Sequence, residues 1–591
     1  MVAFLRWAGS IVTGAVNGLL KFALAIIIIF GIVMLWGLTR GDGLPGSMVL
    51  GLDLRQPMAD SSPVDFAFAG HPLTVMDVVL GLDAAERDNR VKGVFVRIGG
   101  ANMSIAQAEE LGAALRKFRA TGKFVIAHAV GFDSSGLGDY LAATSAEEIW
   151  MQPKSDFFAA GVGGGEIFLK GLFDKIKAVP QIAKEAEYKS AADSLMEPAM
   201  TKPDREQLTA LMQSWYDTAV DDAAKARKLS HDALVAALEA SPQFTEDAKS
   251  RHLIDRTGFD DDALAAALAR AGSDAKAVPM GQFVKVKRAS AALGTGAHVA
   301  LVEAAGDIVD GSAPDGLFSD NNVIAGDDMA RAIRQATKDK DIKAILLRVD
   351  SPGGSVTASD QILDAVKKAQ AAGKPVVVSM GSVAASGGYY ISASANRIVA
   401  EPGTITGSIG VFAGKVSFGN TLGLIGVKGE LVGVGKNALM QNDIEPYTPE
   451  QWTAVQAEAA AIYADFKKKV SDGRKMPLDK VQDVARGRVW TGEDASKRGL
   501  VDKLGGFWDA TALVKRLAGI PEAQRVVFER YPRHKGFFEM LSDAFNGNND
   551  EVQAIESFTT IMNDPVIRRT VRAVKSAPHA DVELRATNLP E

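Results

Sequence analysis

IKAILLRVDSPGGS, residues 342–355, has an earlier counterpart in VKGVFVRIGGANMS, residues 91–104. Each starts as a short aliphatic, β-branched run and ends in a glycine-containing turn, the pattern of a buried strand entering a loop. The correspondence continues at the same offset, with EELGAALRKFRATGKFVIA (109–127) matching DQILDAVKKAQAAGKPVVV (360–378). YLAATSAEEIWMQP (140–153) then matches YYISASANRIVAEP (389–402), and FTEDAKSRHLIDRTGF (244–259) matches WTGEDASKRGLVDKLGGF (490–507). Self-similarity at this distance means a tandem duplication. The copies are expected at 46–285 and 286–530, joined through GQFVKVKRASAALGTGA (281–297), a Lys-rich stretch that reads as low in order. Within a copy, strand and helix patterns alternate, which predicts an α/β fold with mostly parallel strands and helical crossovers. Residues 358–371 carry apolar positions at helical spacing, and EQWTAVQAEAAAIYADFKKKVSDG (450–473) reads as a long amphipathic helix. The tail, 531–591, carries no motif.

At 591 residues the chain is long enough for several domains, and 47% hydrophobic with 23% charged residues is a globular composition. A net charge of −6 with no basic domain argues against a nucleic-acid surface. Without cysteine there is no thiolate nucleophile, disulfide or zinc-thiolate site. FALAIIIIFGIVMLWGL (22–38) is uncharged, bounded by Lys21 and Arg40, and just long enough to span a bilayer. No A-x-A-like cleavage site follows it, so it reads as an uncleaved transmembrane anchor. Arg6 and Lys21 before it favour residues 1–21 in the cytoplasm and the bulk of the chain outside.

Three glycine-containing segments of the second copy carry the chemistry. RVDSPGGSV (348–356) follows an apolar strand, and Gly353-Gly354 permit close backbone approach and free N–H donors. AASGGYY (384–390) places the Ser386 hydroxyl beside the Gly387 N–H, and TITGSIG (404–410) puts Ser408 in another tight turn. Two N–H groups near a developing oxyanion are the usual electrostatic device of acyl transfer. Each segment alone is an ordinary turn; their combination after successive strands is not. The first copy has IGGANMS and DSSGLGDY in the matching places, with Ser135 read as the counterpart of the nucleophile in a drifted, inactive site.

A serine needs a base. The seven histidines, at 71, 128, 231, 252, 298, 534 and 579, include none in a catalytic-looking turn, and no G-x-S-x-G pattern surrounds Ser386. A lysine remains, and it must be buried enough to be neutral, with its pKa lowered by roughly three units. No phosphate-binding loop, H-E-x-x-H or EF-hand pattern occurs, so no cofactor or metal is expected.

On DSPGGS, AASGGYY and TGSIG in that order, preceded by the anchor and spread over two copies, the chain resembles the signal peptide peptidase A (protease IV) family. These are the long, two-copy, membrane-anchored Ser-Lys peptidases of family S49, in the superfamily of the Clp proteolytic subunit and the crotonases. The resemblance implies two Clp/crotonase-like domains, with Ser386 as nucleophile. It implies a lysine base from the first copy, Lys189 in EAEYKSAADSLMEP (185–198), held neutral with help from Ser408. It implies an oxyanion hole from Gly353, Gly354 and Gly387. Aligning the copies sets Lys436, in VGVGKNALMQND (432–443), opposite Lys189, and shorter relatives take their lysine from that segment. The Tyr-Lys-Ser-Ala signature favours Lys189; Lys436 stays the competitor. The resemblance further implies cleaved signal peptides and other apolar extended peptides as substrates, a ring-like homotetramer, and a bacterial inner-membrane protein with periplasmic catalytic domains. The alternatives are a crotonase-like acyl-CoA enzyme and a catalytically silent membrane scaffold.

Overall fold

The computed structural model describes residues 42–61, 72–132, 136–291, 296–313 and 323–532. The expected anchor at 22–38 and the tail from 533 lie outside these residues. Among the described residues, no helix is long and apolar enough to cross a membrane.

The repeat in sequence is a repeat in topology. The first sheet runs Arg256–Thr257, Glu148–Met151, Phe124–Ala129, Val91–Ile98, Met48–Asp53, Lys276–Pro279, every neighbouring pair parallel. The second contains the same order: Lys503–Leu504, Arg397–Ala400, Val376–Ala385, Ile342–Ser351, Ala297–Ala305, Val526–Tyr531, again all parallel. Helices cover the sheets, so the central strands are buried on both faces and read as near-continuous apolar runs rather than alternating ones. A serine starts the matching crossover helix in each copy. Ser104 accepts from Gln107 N–H ahead of Ile105–Arg119, and Ser355 from Ala358 N–H ahead of Val356–Ala371. The long helices also correspond: Lys202–Arg227 and Pro449–Arg474 each have 26 residues and a Thr N-cap. The second buries Val455, Ala459, Tyr463, Phe466 and Val470, the stripe its spacing predicts.

The join between copies differs from expectation. Lys276–Pro279 is the edge strand of the first sheet, and Met280–Ala291 is a helix. Met280, Phe283 and Val284 form an i, i+3, i+4 stripe buried in the core, while the lysines that made the stretch look disordered occupy its other faces.

The copies share one core. The helix Ile105–Arg119 of the first packs on the strand Val376–Ala385 of the second, and one apolar cluster contains Leu111 and Leu115 together with Leu346, Val377 and Phe507. Polar ties cross the same seam. Arg348, 2% exposed, grips Asp60 through Nε (2.9 Å) and Nη2 (2.6 Å), and its Nη1 donates to Glu110 Oε2 at 2.9 Å. Glu109 accepts from Gly403 N–H (2.8 Å) and Glu110 from Phe507 N–H (3.0 Å). The helix carrying Glu109 and Glu110 therefore fixes the sheet from which Ser386 projects.

Candidate active site

Ser386 stands between the strand Val376–Ala385 and the helix Gly387–Ser392, so the chain turns from strand to helix on one residue. Its φ of 52° and ψ of −116° are costly for a residue with a side chain. Its N–H donates to Gly407 O and its carbonyl accepts from Tyr390 N–H, both at 2.9 Å. This is a strand–turn–helix elbow with strain at the serine, although no G-x-S-x-G pattern announces it.

Lys189 comes from the other copy. The strand Val179–Lys184 pairs antiparallel with Phe412–Ser417, setting Lys184 opposite Phe412 and bringing the two following turns together. Glu185 N–H donates to Val411 O (2.8 Å) and Tyr188 N–H to Arg486 O (3.1 Å), which carries the chain into the second copy. Gly487 makes the approach possible. At φ +74° it lies so close that a Cβ there would stand 2.6 Å from both Lys189 N and Lys189 Cβ.

The amine of Lys189 lies 3.0 Å from Ser386 Oγ, 2.9 Å from Ser408 Oγ and 3.1 Å from Ser408 O. Lys189 is 4% exposed, and burial pushes its ammonium down from 10.5 to about 8. A neutral amine has two N–H donors and one lone pair. With both donors spent on Ser408, the lone pair faces Ser386 Oγ. Ser408 is itself held at φ +48°, its N–H donating to Arg488 O at 2.8 Å.

The Gly353-Gly354 turn packs on the elbow, where a Cβ at Gly353 would lie 2.7 Å from Gly387 N and 2.9 Å from Ser386 Cβ. Gly353 N–H donates to Ser351 Oγ at 3.2 Å. Among the described residues the N–H groups of Gly354 and Gly387 have no acceptor, the latter because it opens a helix.

The matching turn of the first copy has a different occupant. Tyr140 OH donates to Leu253 O and Tyr389 OH to Leu500 O, both at 3.0 Å, which fixes the equivalence of the two helices. Counting back from those tyrosines, Leu137 and not Ser135 stands opposite Ser386; Ser135 lies outside the described residues. Asp139, opposite Gly388, is buried and accepts from Ala101 N–H (3.1 Å) and Met103 N–H (3.2 Å). Met103 aligns with Gly354. The drifted turn holds the chain's own carboxyl group, so the turn's N–H groups converge on acceptor oxygens.

The other candidates are elsewhere. Lys436 is exposed, in the segment between Phe412–Ser417 and Pro449–Arg474, and among the described residues the amine within reach of Ser386 Oγ is that of Lys189. His128 is buried in the first sheet with Nε2 3.1 Å from Gly258 O, and His298 pairs with Glu529. The elbow conformation of Ser386 and the close approach at Gly487 escaped the sequence reading. Gly487, three residues before the recognised repeat at 490–507, was the nearest signal for the close approach.

Comparison with known proteins gives the family. Peptidase family S49 matches twice, at residues 117–274 and 368–521, and Clp protease matches at 323–404. The chloroplastic serine protease SPPA of Arabidopsis thaliana is 32% identical over 478 residues, covering 80% of this chain and 69% of that protein. Protease 4 of Salmonella typhi is 32% identical over 496 residues, 80% of this chain and 76% of that one. Protease 4 of Haemophilus influenzae is 32% identical over 462 residues, 75% and 73% of the two chains. The two sheets of one topology are thus two copies of an S49 domain in a mixed α/β, Clp protease-like fold, and the chain belongs to peptidase family S49 as a serine-type peptidase.

Proposed function

We propose that the chain is a membrane-anchored serine endopeptidase in which Ser386 of the second copy is activated by Lys189 of the first. The observation that carries the reading is the Lys189 amine, buried, 3.0 Å from Ser386 Oγ, with a pKa pushed down to about 8. The neutral amine takes the proton of Ser386 as Oγ attacks the peptide carbonyl. The resulting oxyanion is stabilised by the N–H groups of Gly354 and Gly387, with Gly353 keeping the turn close and its own N–H held by Ser351. Lys189, now an ammonium, returns the proton to the leaving amine. The ester left on Ser386 is then hydrolysed by a water that Lys189 deprotonates, and the proton returns to Ser386 Oγ. Ser408 orients the amine through its hydroxyl and carbonyl.

In this reading the copies span 46–285 and 286–530, residues 22–38 anchor the protein in a bacterial inner membrane, and the catalytic copies face the periplasm as a homotetramer. The substrates are apolar extended peptides, cleaved signal peptides among them. Exposed apolar side chains near the dyad suit such peptides: Phe412, 49% exposed, places its ring 6.0 Å from Lys189 Nζ. The test is labelling by a serine-reactive acylating probe together with cleavage of an unstructured apolar peptide. Both should occur in the full chain in detergent and be lost in Ser386→Ala. Labelling or cleavage that persists in Ser386→Ala removes the assignment.

A further inference from the structure

The base and nucleophile are 197 residues apart in sequence, and Lys189 sits in a turn rather than a regular element. Something must hold that turn against the second copy. Gln207, 3% exposed in the second turn of the helix Lys202–Arg227, is placed to do so. Its Nε2 donates to Tyr188 O at 3.0 Å and to Ser190 Oγ at 2.9 Å, the residues on either side of Lys189. Its Oε1 accepts from Val489 N–H at 3.3 Å. Val489 is paired with Gly407, which precedes Ser408 and whose carbonyl receives the Ser386 N–H. One side chain thus ties the lysine turn of the first copy to the strand pair that orients both serines.

The orientation of this amide is dictated by its neighbours. Asp204 Oδ1, 3.1 Å from Nε2, is a third acceptor on the same side, whereas the Oε1 side faces a backbone donor. A flipped amide would set its oxygen against three oxygens and its NH2 against an N–H. A carboxylate of the same shape would do likewise, with a charge added beside Asp204.

We infer that Gln207 is a positioning residue for the dyad, holding Lys189 Nζ in line with Ser386 Oγ without touching substrate. The inference rests on the Ser386–Lys189 reading. Its consequence is specific: loss of the Gln207 hydrogen bonds changes the geometry and solvation of the amine, so it acts on kcat and on the pH profile rather than on KM.

The experiment measures kcat, KM and the pH dependence of kcat/KM for wild type, Gln207→Met, Gln207→Glu and Lys189→Ala, as full chains in detergent, with thermal unfolding in parallel. The expected result is a fall in kcat of about tenfold or more in both Gln207 variants, KM within about twofold, and an apparent pKa displaced from its wild-type position. Gln207→Glu keeps the shape and carries the test should Gln207→Met not fold. Ser190→Ala, which removes a single acceptor, carries it should neither fold, with a smaller loss of kcat expected. Unchanged kcat and pKa in folded variants overturn the inference. So does a fall in kcat that merely follows the fraction of sites titrated by an acylating probe, with the pKa unmoved. Activity retained in Lys189→Ala instead overturns the dyad on which the inference rests, so the two failures are distinguishable.

Discussion

Replacing Lys189 by methionine should stabilise the protein at neutral pH while abolishing its activity. Methionine keeps the length and the apolar stem of lysine and removes the charge. In the folded chain the ammonium titrates at about 8, against 10.5 for the free group, because burial disfavours the charged form. The folded pKa lies below the unfolded one, so between pH 8 and 10.5 the unfolded chain holds a proton that the folded chain does not, and stability rises with pH across that window. Below pH 8 the penalty is nearly complete. It amounts to about 3 kcal/mol at pH 7 and about 1 kcal/mol at pH 10. The hydrogen bonds to Ser408 lost in Lys189→Met do not depend on pH, so comparing two pH values cancels them. Urea unfolding of Lys189→Met and wild type at pH 7 and pH 10, followed by tryptophan fluorescence, should give a stability difference that favours the variant by about 2 kcal/mol more at pH 7 than at pH 10. An equal difference at both pH values, or one of opposite sign, would show that burial does not lower the pKa of the lysine and would remove the basis for its role as base.

Gly487→Ala sets a Cβ 2.6 Å from the Lys189 backbone at φ +74°, so kcat should fall about tenfold or more, measured on the apolar peptide, with stability lowered by about 1 kcal/mol or more. Arg348→Leu leaves Asp60 and Glu110 buried without their cation and should cost about 3–5 kcal/mol in denaturant unfolding, most of it recovered when Asp60→Asn and Glu110→Gln are added. Burial pushes the Glu109 carboxyl up to about 8, above its unfolded value, so its contribution to stability is full below about pH 4.5 and lost as the pH rises through 8. Glu109→Gln should therefore gain stability relative to wild type between pH 5 and 8, read as a widening gap in unfolding midpoints.

Much of the fold was legible because repetition is a long-range signal that survives the loss of local detail. The offset linking Val91–Ile98 to Ile342–Ser351 also relates two sheets that share one six-strand order. The glycine turns were legible because few residues tolerate the approach of Gly353 to the Ser386–Gly387 backbone. What escaped depends on partners far away in sequence. Gln207 reads as an ordinary helical residue until Tyr188, Ser190 and Val489 surround it. The strain at Ser386 is a property of the whole elbow and not of A-S-G-G. The helix Met280–Ala291 was hidden because Lys285, Lys287 and Arg288 crowd around the three buried residues that make it fold. Asp139 looked like drift in the first copy, yet it accepts from the N–H groups of its own turn, where the second copy has Gly388 packed against Ser351 O.

The proposed dyad pairs a lysine of the first copy with a serine of the second. The direct measurement is kcat/KM on an unstructured apolar peptide for Lys189→Ala and Lys436→Ala, side by side with wild type. Lys189→Ala should lose on the order of 10²–10⁴-fold or more, and Lys436→Ala should stay within about twofold. Activity that survives in Lys189→Ala, or falls equally in Lys436→Ala, would contradict it.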